Sequence, residues 1–253
     1  SRSGAAVKYL PGSSKTIILV TVLLLSSWLV ILSSVDSAYQ RDVGNYVETQ
    51  LAQLDSEITS ITITYENFAD YIFDQAVNKR EVTSILEEAA KADSAGRHPL
   101  RSELYSQLHE TFEAMRKHEF KELQFHLPDG QSFYRFSNPV YYGDNVFTLR
   151  DSVRLAFTEE KPVRGFEIGG NFYGYRFVYP LRHFGDTLGS AEISVSMSAA
   201  IDTLETLYPD HNILFILDKN MIDDRILEDY YFNYIVSPLL IDYYIDLDLH
   251  EKI

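Results

Sequence analysis

The run TIILVTVLLLSSWLVILSSV, residues 16 to 35, constrains this chain more than any other stretch. It carries no charge and is dominated by Leu, Ile and Val. About 20 such residues cross a bilayer core of roughly 30 Å. A cleaved leader has a shorter apolar core, about 7–15 residues, ahead of a small-x-small site, and SSVDSA is only a passable version of one. The run is therefore read as an uncleaved transmembrane helix. Charge orients it: Arg2, Lys8 and Lys15 precede it, and all 37 acids lie from Asp36 onward. Basic flanks stay on the cytoplasmic side. Residues 1–15 are expected in the cytoplasm, with the anchor in the inner (cytoplasmic) membrane and the main body periplasmic or extracellular. The C-terminal run YYFNYIVSPLLIDYYIDLDLHEKI is broken by Pro238 and by Asp242, Asp246 and Asp248, and is not a second span.

The formal charge of −15 argues against nucleic acid as a partner, because phosphate contacts need the opposite sign. The 18 Tyr and 15 Phe supply a real core. Absence of cysteine excludes a disulfide scaffold, a thiolate zinc site and a cysteine nucleophile. Because the first residue is not Met, the sequence is read as a piece of a longer chain.

Beyond the anchor, apolar residues recur at Val47, Leu51, Leu54, Ile58, Ile61, Tyr65, Phe68 and Ile72, in alternating steps of four and three. This heptad-like stripe predicts a long helix that continues the membrane helix and ends near NKRE, with one side on the protein's own sheet and part of the rest on a second copy. KREVTSILEEAAKA predicts another helix, stopped by Gly96 and Pro99, and Leu104, Leu108, Phe112 and Met115 mark a third. The period then becomes strand-like. ELQFHL and QSFYRFS flank PDG, a hairpin signal. TLRDSVRLAFTEE reads as a short helix, and VRGFEI, FYGYRFVYPLR and LGSAEISVSM as a three-strand meander. The fold class is α+β: a transmembrane helix running into a long helix, packed on a PAS-like five-stranded antiparallel sheet.

The long membrane-linked helix, the LPDGQSFYRFSNP hairpin, LRDSVRLAFTEEKPVRGFEIGGNFYGYRFVYPL and GSAEISVSM together resemble the extracytoplasmic Cache family, in the double sensory form found on bacterial sensor kinases and related receptors. The resemblance covers roughly residues 36 to 245. It implies a membrane-distal sensory domain over 36–204 and the start of a second, membrane-proximal lobe over 205–253. NILFILDKNMID, beginning at Asn212, is similar to that lobe's opening strand; the remaining residues are too few for a complete one. The implied role is ligand sensing by a transmembrane receptor. A histidine kinase is the first reading of its output, with a diguanylate cyclase or a chemoreceptor next.

The residues themselves offer little catalysis. The seven histidines show no HExxH or comparable ligand spacing, and no GxSxG or Walker loop is present. No cofactor or metal is expected, and this region is read as non-enzymatic. Binding has more support. In FYGYRFVYPLR the faces alternate, so Phe172, Gly174, Arg176 and Val178 point one way and Tyr173, Tyr175, Phe177 and Tyr179 the other. Arg176 is a cation beside a glycine that leaves room. Glu167, opposite in facing to Phe166 and Ile168, is read as an arginine partner. Arg135 follows Tyr134 on the earlier strand, and Arg150 and Arg154 share a helical face. Several arginines around one sheet on an acidic body point to a pocket for a small anionic ligand, read as a carboxylate. The candidate contacts are Tyr134, Arg135, Arg150, Arg154, Glu167, Tyr175 and Arg176, with Arg176 foremost. A permanent Arg176–Glu167 bridge is the structural rival. A membrane-tethered interaction domain without a small ligand is the alternative class, and a secreted hydrolase with an unrecognised site is a third.

Overall fold

The computed structural model describes residues 13–169, 172–183, 185–209, 213–223 and 234–247. Residues 1–12 of the expected cytoplasmic segment, Gly170, Phe184 and Asn212 lie outside them. Helix α1, Ser13–Ile72, is continuous over 60 residues. The chain divides into two compact units, Ser1–Ser56 and Glu57–Ile253.

In the first unit the apolar side chains of the uncharged run are exposed, Trp28 and Leu29 at 60% and 65%. Such a surface suits lipid rather than water. Thr21, Ser26, Ser27 and Ser34 within the run close on their own helix. Thr21 donates to the carbonyl of Ile17, and Ser34 to that of Val30. These hydroxyls are thereby satisfied without solvent. Among the described residues this is the one helix long and apolar enough to cross a membrane.

In the second unit α1 ends in a π-helical turn, Phe73–Val77, close to the expected stop. Helices α2, Arg80–Lys91, and α3, Arg97–Arg116, follow. Then come β1, Phe120–His126, β2, Ser132–Arg135, α4, Asp151–Glu159, β3, Val163–Ile168, β4, Tyr173–His183, and β5, Asp186–Ser196. The five strands form one antiparallel sheet in the order β2-β1-β5-β4-β3, the PAS arrangement. In the β1–β2 turn Gly130 has φ +80, and a Cβ there would strike the ring of Phe147. Only glycine fits that corner.

One face of the sheet takes the helices. Leu123, Phe125, Phe177, Tyr179, Ile193 and Val195 pack against Leu86, Leu104, Leu108, Phe112 and Met115. Helix α1 contributes Tyr65, Ala69 and Ile72, and Phe73 stacks on Tyr179 at 4.3 Å. The small Ala69 is fully buried, whereas Phe68, favoured by the heptad stripe, is 45% exposed and stacks on His118. A methyl group permits the close approach that a ring would block.

Beyond β5, helix α5, Met197–Leu207, crosses the expected boundary at 204/205. A smaller antiparallel sheet follows, of β6, Ile216–Asp218, β7, Tyr234–Val236, and β8, Tyr243–Asp246, with β8 central; the short helix α6, Lys219–Asp223, follows β6. Leu217 and Ile222 bury against Ile168 and Tyr173 of the larger sheet, and the Tyr173 hydroxyl donates to Asp246 at 2.9 Å.

Candidate functional site

The face of the sheet away from the helices follows from the same alternation. Where β5 sends Ala191, Ile193 and Val195 to the helices, it sends Ser190, Glu192 and Ser194 the other way. β1 likewise adds Glu122, Gln124 and His126, β4 adds Gly174, Arg176 and Val178, and β3 adds Gly165 and Glu167. Helix α4 covers part of this surface through Val153 and Ala156, packed on Val178.

A buried ionic network fills the face. Arg176, 1% exposed, gives one guanidinium nitrogen to Glu192 at 2.5 Å and another to the carbonyl of Phe172 at 2.8 Å. Its guanidinium lies over the Phe172 ring, 4.3 Å from the centroid. A Cβ on Gly169 would overlap it, at 2.4 Å from Nη2. Arg150, at the start of α4, reaches Glu167 with Nε at 2.6 Å and Glu192 with Nη2 at 2.5 Å. Glu167 also accepts from the Ser152 amide at 3.0 Å and hydroxyl at 2.7 Å. Ser194 donates to Glu192 at 2.5 Å.

Towards β1 and β2, Arg135 grips Asp144 with both terminal nitrogens, at 2.7 and 2.8 Å. Its neighbours orient the Gln124 amide with the oxygen towards Arg135 Nε and His126 Nε2, at 3.1 and 3.2 Å. His126 Nδ1 meets the Ser190 hydroxyl at 3.0 Å. Glu122 accepts from the Ser137 amide at 3.2 Å and from the Ser137 hydroxyl. Among the described residues no buried side-chain nitrogen or oxygen lacks a partner.

Burial and charge compete in setting the protonation states. Burial alone would raise the Glu192 carboxyl, but Arg150 and Arg176 outweigh it and hold Glu192 well below the usual range. Burial also opposes the Arg150 charge, yet Glu192 and Glu167 raise its pKa. Arg176 falls to about 10, through burial and then the neighbouring Arg150, and stays charged at neutral pH. Burial pushes His126 down to about 3, so its ring is neutral. Glu122 has no arginine in contact, and burial raises it to about 7.

Of the sequence candidates, Arg150, Glu167 and Arg176 meet in one cluster, with Arg135 farther along the same face. Tyr134 and Tyr175 lie on the helix side, Tyr134 edge-on to Phe136 and Tyr175 beside Phe177. Arg154 parts from Arg150: it is exposed and holds Asp151 at 2.7 Å. The room expected beside Gly174 is filled, since a Cβ there would lie 2.3 Å from the Val195 carbonyl and 3.2 Å from the Phe172 ring. Open space lies instead at Gly165, where a Cβ would meet nothing within 4 Å. A groove of about 260 Å³ runs there, lined by Ser152, Leu155, Gly165, Glu167, Ile168 and Met221. Sequence reasoning missed Glu192, although a lone acid centred in SAEISVSM carries the same signal as a lone arginine in β4.

Residues 55–234 match the family described as the double sensory domain of two-component sensor kinases. The match spans most of the chain, and the chain belongs to that family. It carries an extracytoplasmic sensory domain of Cache type. No curated protein sequence matches it. Among solved structures it is similar to the sensor domain of the histidine kinase DctB from V. cholerae, with TM-score 0.48 and 19% identity, over 61% of this chain and 57% of that one. A domain of a sensory box/GGDEF family protein from Vibrio parahaemolyticus gives TM-score 0.42 and 15% identity, over 67% and 66%. The sensory domain of the Campylobacter jejuni chemoreceptor Tlp3, with isoleucine bound, gives TM-score 0.38 and 13% identity, over 69% of each chain. The chain thus spans under two thirds of the length of the first of these relatives. The family assignment rests on the sequence match and not on these likenesses.

Proposed function

We propose that this chain is the ligand-sensing region of a bacterial receptor anchored in the inner membrane with its N-terminus in the cytoplasm. Its ligand is a small carboxylate bound on the α4-covered face of the five-stranded sheet over 36–204, and its output is a histidine kinase. The second lobe begins near residue 205, and the receptor works as a dimer through the exposed stripe of the long helix. The observation that carries the ligand reading is the arrangement of Arg150 and Arg176 around Glu167 beside an open groove. Arg150 spans two carboxylates, with Nε on Glu167 and Nη2 on Glu192, and its charge counts for more where water is excluded. Arg150 is the nearer contact, because it bonds Glu167 at the groove wall. Arg176 stands behind it and fixes Glu192. Arg154 neutralises Asp151, which lines the groove.

One observation favours the interaction-domain reading: the cluster is already charge-balanced, with Arg150 and Arg176 facing Glu167 and Glu192. A thermal-unfolding screen of small carboxylates, amines and sugars against the full chain in nanodiscs separates the two. A ligand at a few hundred times its dissociation constant stabilises by roughly 3 kcal/mol. The sensing reading expects such hits among carboxylates; a screen with none leaves the interaction reading. Protease added outside intact cells tests the topology, with digestion beyond Asp36 expected and full protection contradicting it. Single cysteines along 43–61 that cross-link with helical period in membranes support the dimer, and uniform failure to cross-link removes it.

A further inference from the structure

We infer that Glu167 is the resident occupant of a carboxylate site, and that an external small carboxylate acts by taking its place. The inference rests on the ligand-sensing reading and adds the means by which the site is regulated.

The donors around Glu167 form a site suited to any planar carboxylate. Its Oε1 accepts from the Ser152 amide at 3.0 Å, and its Oε2 from Arg150 Nε at 2.6 Å and the Ser152 hydroxyl at 2.7 Å. Arg176 Nε stands 3.8 Å away. One guanidinium N–H, a hydroxyl and an amide recognise the carboxylate group whatever chain carries it. The two glutamates of the cluster differ in access. Glu192 lies on the central strand β5, fully buried and held by both arginines. Glu167 lies on the edge strand β3, its side chain is 9% exposed, and it lines the groove. Glu167 is the one that can be replaced.

The exchange also keeps the charge facing the arginines unchanged. When a carboxylate enters and the Glu167 side chain turns into the groove, one anion replaces another and Arg150 keeps Glu192 throughout. No bare buried cation arises, which is the costly state. The exchange has a route to the long helix. Arg164, three residues earlier on β3 and facing the other way, bonds Glu66 at 3.1 Å and Asp70 at 2.8 Å on α1. Asp70 also accepts from Tyr179 of β4 at 2.7 Å. A change in how Glu167 holds β3 against α4 therefore reaches the strand that fastens α1.

The test uses the full chain in nanodiscs and sodium acetate as the probe, against sodium chloride at equal ionic strength. Glu167→Ala removes the resident carboxylate. Its unfolding midpoint should fall below that of the wild type and recover with acetate along a saturable curve, while the wild type responds at least tenfold more weakly. Equal responses of variant and wild type, or equal effects of acetate and chloride on the variant, overturn the inference. If Glu167→Ala does not fold, Glu167→Gln carries the test, because it keeps the shape and removes the competing charge. The acetate concentration giving half its effect should be at least tenfold lower than in the wild type, and an unchanged value overturns the inference. Failure of the two readings looks different. Acetate rescue without any screened carboxylate binding the wild type keeps the site and removes the sensing role. Carboxylate binding by the wild type without rescue keeps the sensing role and removes the part given to Glu167.

Discussion

On the helix side of the five-stranded sheet, Phe125, Phe177 and Ile193 are fully buried among aliphatic and aromatic neighbours. On the other side of the same strands, the adjacent His126, Arg176 and Glu192 are buried as deeply among charges and hydroxyls. The side chains differ by one step of the strand period. The apolar face is stabilised by area removed from water, which is non-directional and tolerates repacking. The ionic face is held by directed contacts that must all be present, since a buried charge without its partner is far costlier than a lost methyl group. The first arrangement makes a floor. The second makes a site poised to exchange one partner for another.

Four substitutions probe the two faces separately, and unfolding of the full chain measures them. Glu192→Ala leaves Arg150 and Arg176 without their shared carboxylate and should cost about 3–5 kcal/mol, at the upper end of that span. A loss under 1 kcal/mol would mean the ionic face is loosely made. Phe177→Ala on the apolar face should cost about 3–4 kcal/mol through lost burial and the cavity left behind, with no change in carboxylate binding. Altered binding would show that the faces are not separate.

The third concerns pH. The Glu122 carboxyl is raised from 4.5 to about 7 by burial. Folding therefore binds a proton between those values, and stability falls as pH rises. The contribution is complete below 4.5 and is lost as pH rises through 7, the loss amounting to about 3 kcal/mol by pH 8. Glu122→Gln should abolish it, so the wild type and the variant should diverge steadily between pH 4.5 and 8. A constant difference across that range would refute the assignment. The smallest effect belongs to Arg164→Ala. Its pairs with Glu66 and Asp70 are about one-third exposed, so solvent screening limits the loss to about 0.5 kcal/mol, while ligand-induced change in α1 should disappear. A retained response would remove Arg164 from the route.

Much of the fold was legible in the residues. The change from steps of three and four to steps of two near Phe120, the PDG turn and the meander are local signals, and they mark the helices and the five-stranded sheet. The register of α1 on the sheet was not legible, because the close approach at Ala69 depends on the opposing surface and not on the helix alone. For the site, alternation set Arg176 and Tyr175 on opposite faces of their strand and Glu167 opposite to Phe166 and Ile168 on its own. It did not reveal that Arg150, sixteen residues before Phe166, turns inward from the start of α4 while Arg154 turns out. It also left Gly174 as a place for ligand, when Phe172 and the Val195 carbonyl occupy that space. Contacts between distant segments decide such matters, and no periodicity encodes them.

Calorimetric titration reads directly whether the ionic face binds a small carboxylate through Arg150. The strongest carboxylate from the screen is titrated into the full chain in nanodiscs, wild type and Arg150→Lys. Lysine keeps the charge and loses the planar fork. The account predicts one saturable site in the wild type and at least a tenfold weaker one in the variant, with the variant still folded. Equal affinity in the two proteins, or no carboxylate binding to the wild type, would contradict it.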